Sequence, residues 1–150
     1  VWNQQTGRPA GHGMADIDIV YFDRADLDPA AERAAEARAA VLFAPILDGM
    51  PLRFDVKNQA RVHLWYEARF GCAIAPYASV ADAVATYPTT ATAIALRREG
   101  GRLACIAPFG LDDLFALTVR PNRRLVSEAV YRAKAARWQG RWPELTVLPW

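Results

Sequence analysis

At 150 residues the chain is long enough to bury one sizeable core. Its composition, 53% hydrophobic and 23% charged, is that of a globular domain rather than a disordered chain, and a net charge of +2 argues against a protein that coats nucleic acid. No apolar run approaches the roughly 18 residues of a membrane-spanning helix, and no signal peptide is visible. Cys72 and Cys105, the only two cysteines, sit far apart in apolar surroundings. They are expected to be buried free thiols in a reducing, cytoplasmic compartment. His12 and His63 are too few for a His/Cys zinc site.

The opening stretch "VWNQQTGRP" reads as the tail of a helix stopped by Gly7 and Pro9. With no initiator Met, a further N-terminal segment is expected before Val1. "ADIDIVYFD" then reads as a strand over residues 16–22. Its period of two sends Ile17, Ile19 and Tyr21 to one face and Asp16, Asp18 and Val20 to the other. Carboxylates about 7 Å apart on one strand face repel mildly, and a multivalent cation between them removes the penalty. Mg²⁺ in particular takes hard oxygens, usually one or two carboxylates plus substrate phosphates. A solvent-facing strand end with two exposed acids is the plain alternative, because D-x-D alone is a weak motif.

Asp28 as N-cap and Pro29 at the first position open an Ala-rich helix running to about Phe43, whose charges Glu32, Arg33, Glu36 and Arg38 are expected on a solvated face. "LDGMP" breaks the chain. Leu52, Phe54 and Val56 alternate with Arg53, Asp55 and Lys57, which gives a second strand, and a short further strand is expected over Arg61 to Trp65. "YEARFGCAIAPY" is expected to be a loop. Ser79 caps a short helix with Asp82 in its first turn. "TAIALRR", "EGG" and "RLACIA" make a hairpin. "PFGLDDLFALTV" is a loop and helix with Asp112 and Asp113 as capping acids. A last amphipathic helix runs from Arg124 to about Gly140. Helices and strands interleave with a hairpin and no linker is visible, so residues 1–150 are expected to form a single α+β (mixed α/β) domain.

If the two aspartate-bearing strands are neighbours, Asp16, Asp18 and Asp55 converge, an arrangement that suits two-metal phosphoryl chemistry. The ordered blocks "DIDIVYFD", "FDVKNQARVHLW", "TATAIALR", "APFGLDDLFALTVRPN" and "YRAKAARWQGRWPELTVLPW" resemble a bacterial nucleotidyltransferase-like family of the polymerase-β-type superfamily, over essentially the whole chain. The resemblance implies a mixed β-sheet flanked by helices. It also implies that Asp16 and Asp18 bind Mg²⁺ or Mn²⁺ and that Asp55 completes the site. The superfamily's Gly-Gly or Gly-Ser phosphate-binding turn has no match before Asp16; the resemblance places it upstream of Val1.

Beside Asp55, "KNQARVH" concentrates polar groups. Asn58 and Arg61 are candidate nucleotide contacts, with His63 a weaker one. Asn58 could equally satisfy backbone groups at a strand kink. The threonines of "TTATA" suit strand structure more than nucleotide binding. Lys134, Arg137 and Arg141 share one helix face, and Lys134 and Arg137 are candidate phosphate contacts; Trp138 and Trp142 are expected in the core. The implied activity is metal-dependent transfer of a nucleoside monophosphate from an NTP to an acceptor hydroxyl on a small molecule, protein or RNA. A non-catalytic nucleotide-binding or interaction module on the same fold is the alternative.

Overall fold

The computed structural model describes residues 1–45, 47 and 52–150. In chain order its elements are α1 (Trp2–Gln5), β1 (Asp16–Tyr21), α2 (Pro29–Phe43), β2 (Arg53–Asn58), a 3₁₀ turn (Gln59–Arg61), α3 (His63–Phe70), α4 (Val80–Val84), a second 3₁₀ turn (Thr90–Thr92), β3 (Ala95–Glu99), β4 (Arg102–Ile106), α5 (Asp112–Phe115), β5 (Thr118–Val119), α6 (Glu128–Arg141) and β6 (Thr146–Val147). The mixed α and β class expected from the sequence is the class found. Among the described residues the strands form three two-stranded pairs, β1–β2, β3–β4 and β5–β6. Apart from Leu47, the expected break at "LDGMP" lies outside the described residues. Contacts divide the chain into one unit of residues Gly13–Val80 and another of Val1–His12 with Ala81–Trp150.

In the first unit β1 and β2 run parallel, so the chain must cross back between them, and α2 makes the crossing. The Asp28 carboxylate accepts a hydrogen bond from the Ala30 amide at 2.8 Å, and Pro29 follows at the first helical position. Ala35 and Ala39 let α2 lie close on the sheet. There Ile17, Ile19, Tyr21, Phe54 and Val56 form one small core with Phe43, whose ring stacks on Phe54 at 5.3 Å. "HLWYEARF", expected as strand and then loop, is instead α3, closed by Gly71 in the left-handed conformation. Tyr66 and Phe70, four residues apart on one helix face, pack with ring centroids 4.5 Å apart. Helical periodicity therefore overrode the β-propensity of Val62 and Trp65. Cys72 and Cys105 are free but exposed, contrary to expectation.

The second unit is built on a tryptophan cluster. Trp2 meets Trp138 and Trp142 edge-on at 5.9 and 5.5 Å, with Val119, Tyr131 and Leu145 in the same core. Each buried polar tip has a partner. Trp2 Nε1 donates to the Leu114 carbonyl at 3.0 Å, Trp142 Nε1 to Asn3 Oδ1 at 2.7 Å, and the Tyr131 hydroxyl sits 2.6 Å from the Leu148 carbonyl. The hairpin forms as expected. Its turn is Gly100–Gly101, with φ of +53° and +80°, which a two-residue connection needs and only glycine adopts freely. α6 begins at Glu128, capped by Ser127, four residues later than the start expected at Arg124.

Asp113 stands in the first turn of α5, as expected, and also serves as a cross-link. Its Oδ2 accepts from Arg120 Nε at 2.8 Å and from the Thr90 hydroxyl at 2.5 Å. The Arg120 hydrogen bond, with that of Thr90, holds its carboxyl below the ordinary carboxylate range despite burial. A depressed native pKa contributes stability that is complete above the unfolded value of about 3.9 and lost as pH falls through the native value. Asp113→Asn is therefore expected to lower the melting temperature at pH 7 and to narrow the gap to the parent as pH drops below about 4, measured by thermal melts across pH 2–7. A gap that stays constant across that range would rule out this linkage.

Candidate active site

The parallel register pairs Asp16 with Arg53, Asp18 with Asp55 and Val20 with Lys57. Paired residues on adjacent strands point to the same face. The sheet therefore has one apolar face under α2 and one charged face, along which β1 sets Asp16 and Asp18 beside Arg53, Asp55 and Lys57 of β2. Asp16 and Asp18 are exposed and Asp55 is half-buried. The expectation that the three acids share a face on neighbouring strands is met by this register. Asp18 and Asp55 stand side by side, one strand spacing of about 4.8 Å apart in the backbone. Asp16 lies two residues back along β1. Among the described residues, no three His, Cys, Asp or Glu side chains close into a metal-binding cluster, so the arrangement is a carboxylate pair with a third acid in line. Lys57 Nζ makes an ion pair with Asp55 Oδ1. An open groove of about 530 Å³ between α2 and β2 is lined by Ala37, Ala40, Leu52 and Phe54 among others, but by none of the three aspartates.

The carboxylate set suits a hard divalent cation: oxygen donors only, reachable from solvent, and two side by side, which is as many protein ligands as Mg²⁺ ordinarily needs when phosphates supply the rest.

Just beyond Asp55 the other candidates do structural work. Asn58 is fully buried. Its Nδ2 donates to the carbonyls of Asp23 and Asp26 at 2.7 and 2.8 Å, and its Oδ1 accepts from the amides of Asp23 and Ala60 at 2.9 and 3.1 Å. The side chain is thereby saturated by the β1–α2 loop and the start of the 3₁₀ turn. Arg61 Nη1 donates to Glu32 Oε2 at 2.6 Å and its Nε to the Leu27 carbonyl at 3.2 Å. Glu32 also accepts from the Asn58 amide at 2.7 Å. The sequence suggests a solvated Glu32, yet it is buried; its place in the first turn of α2, over the end of β2, explains the difference. Asn58, Glu32 and Arg61 thus form one latch that fixes the loop after β1 to the end of β2. His63 Nδ1 is buried without a hydrogen-bond partner among the described residues.

Lys134 and Arg137 belong to the other unit, on α6. Lys134 Nζ lies 5.9 Å from the centre of the Trp138 ring, and Arg137 is exposed. Two residues of weight here escaped sequence reasoning. Glu32 carried no signal beyond its place near a helix start. Lys57 could have been found from its spacing, because residues two apart on a strand share a face and Asp55 and Lys57 are opposite in charge.

A family model described as "Nucleotidyltransferase" matches residues 1–147, through both units. The chain belongs to this nucleotidyltransferase family. No curated protein matches it in sequence. Among solved structures, an NMR structure described as revealing a CCA-adding enzyme head domain superposes with a TM-score of 0.73 and 24% identity, covering 99% of this chain and 75% of that one. That likeness shows that this nucleotidyltransferase-family chain shares the head-domain fold.

If Asn58 is a latch, its loss is felt without any ligand. Asn58→Ala would orphan two carbonyls and two amides and is expected to destabilise the free protein by about 2–4 kcal/mol. Urea melts measure this directly; a change below about 0.5 kcal/mol would remove Asn58 from the scaffold and return it to the candidate nucleotide contacts.

Proposed function

We propose that the chain is a metal-dependent nucleotidyltransferase that moves a nucleoside monophosphate from an NTP to an acceptor hydroxyl. The observation that carries this proposal is the register of Asp18 against Asp55 on the charged face, in a chain of this family. In such a reaction the acceptor oxygen bonds to the α-phosphorus, the bond to the β-phosphate bridging oxygen breaks, and pyrophosphate leaves with that electron pair. Mg²⁺ or Mn²⁺ held by Asp16, Asp18 and Asp55 would neutralise the triphosphate and acidify the acceptor hydroxyl. Asp16 and Asp18 would fix the triphosphate end of the site. Asp55 would orient the acceptor hydroxyl and take its proton. Asn58 and Arg61 would act through the backbone they hold, keeping Asp55 in line. On α6, Lys134 and Arg137 are proposed to meet nucleotide phosphate. A cytoplasmic setting belongs to the same proposal, being where NTPs and free thiols such as Cys72 and Cys105 coexist. Among the described residues no helix is long and apolar enough to cross a membrane.

The test is thermal melting of the parent and Asp18→Asn with and without millimolar Mn²⁺, alongside transfer from α-labelled NTPs. Metal at ten times its Kd is worth about 1.4 kcal/mol, or roughly 4 °C in a chain of this size. The parent is expected to show that rise. Asp18→Asn should be as stable as the parent without metal, because a like-charge pair is relieved, but should lose both the metal response and at least about 100-fold in transfer. Metal response without transfer to any acceptor would favour a non-catalytic nucleotide-binding module. A metal response that survives the substitution would move the ion site away from Asp18.

A further inference from the structure

Lys57 has no part in the chemistry just proposed, yet it lies on the same face as the three aspartates and its ammonium is paired with Asp55 Oδ1. The pair bridges residues two apart on one strand, with side chains 33% and 46% exposed, and Lys57 Nζ also lies 3.4 Å from the Val56 carbonyl. Across the strands Lys57 faces Val20, an apolar neighbour, whereas the other cation of the face, Arg53, stands opposite Asp16. Lys57 is therefore the cation paired with Asp55, the carboxylate that stands beside Asp18. An ordinary surface ion pair contributes little to stability. Here, however, it occupies a carboxylate that the proposed metal site requires.

We infer that Lys57 is a built-in counter-ion that a divalent metal displaces, and that the freed ammonium then binds the triphosphate of the incoming nucleotide. The inference rests on the proposed site at Asp16, Asp18 and Asp55. Its physical basis is charge competition: an ammonium in contact with Asp55 Oδ1 and a divalent ion on the same carboxylate repel each other, so the ion weakens the lysine's hold. The lysine stem, anchored two residues from Asp55, keeps the displaced charge beside the ion, where phosphate oxygens must gather. The charged face therefore carries compensation for its carboxylate pair before metal arrives, and turns that compensation into a substrate contact afterwards.

The test is titration calorimetry of the full chain with Mn²⁺ alone, then with the Mn²⁺ complex of inorganic triphosphate, for the parent, Lys57→Met, Lys57→Arg and Arg38→Met. Lys57→Met is expected to bind Mn²⁺ about five-fold tighter and the triphosphate complex about five-fold more weakly, a pair of changes of opposite sign. Lys57→Arg should stay within about two-fold of the parent for both, and Arg38→Met, exposed on α2 over the opposite face of the sheet, should shift Mn²⁺ binding by less than about two-fold. Melting curves check that each variant is folded; should Lys57→Met fail to fold, Lys57→Gln carries the same expectations. The inference is overturned if removing the ammonium leaves Mn²⁺ affinity unchanged or lowers it. It is also overturned if Arg38→Met matches Lys57→Met, if triphosphate binding does not weaken, or if neither the parent nor the lysine variant binds Mn²⁺. Opposite-sign changes in a protein that shows no nucleotidyl transfer would uphold Lys57 and reject the catalytic proposal.

Discussion

Everything at the candidate site depends on the register between β1 and β2. Asp18 sits opposite Asp55 because Ile17, Ile19 and Tyr21 must lie on the same side as Phe54 and Val56, under α2. A slip of one residue would turn those apolar side chains to water and bury carboxylates against Ala35 and Ala39. The apolar face thus dictates what the charged face looks like. Like charges side by side on neighbouring strands are unfavourable, and burial on the far side offsets that repulsion. Fully burying a side chain such as Phe or Val stabilises by about 1.5–3 kcal/mol, more than a half-exposed charge pair opposes.

The latch beyond β2 serves the same register. Asn58 closes the strand, fastens the loop that leaves β1 and, through its amide, reaches Glu32 on α2. Glu32 is a buried carboxylate and stays satisfied because Arg61 and the Asn58 amide both donate to it. Breaking such a pair from one side leaves an uncompensated charge, which is why these residues bind the loop, the strand and the helix into one piece. Asp55 lies three residues before Asn58, so the precision of the acid face derives from this polar knot as well as from the core.

Much of this was legible in the sequence. The alternation of "DIDIVY" and "RFDVKN" gave both strands and their charged faces, Asp28 and Pro29 gave the start of α2, and the two adjacent glycines gave the hairpin. What escaped was what depends on tertiary partners. The segment from His63 to Phe70 contains aromatic and β-favouring residues, and its helix sets Tyr66 on the buried side and packs it on Phe70 one turn later. Glu32 reads as surface because its partners, Asn58 and Arg61, are more than 25 residues away in sequence. Asp113 reads correctly as an acid in a first helical turn, but nothing local announces Arg120 and Thr90 as its partners. At the site itself the acids were legible, but their company was not. Lys57 stands in the polar run beside Asp55 in the sequence, but only the structure shows that it is the group that balances Asp55.

The most direct test of the site is paramagnetic broadening of backbone amide signals by substoichiometric Mn²⁺ in a ¹⁵N-labelled sample. If the Asp18–Asp55 pair is the ion site, broadening is expected to centre on residues 16–20 and 53–57 and to fade along α2. Broadening centred instead on the acidic loop of Asp23, Asp26 and Asp28, or spread over the surface without a centre, would contradict the assignment.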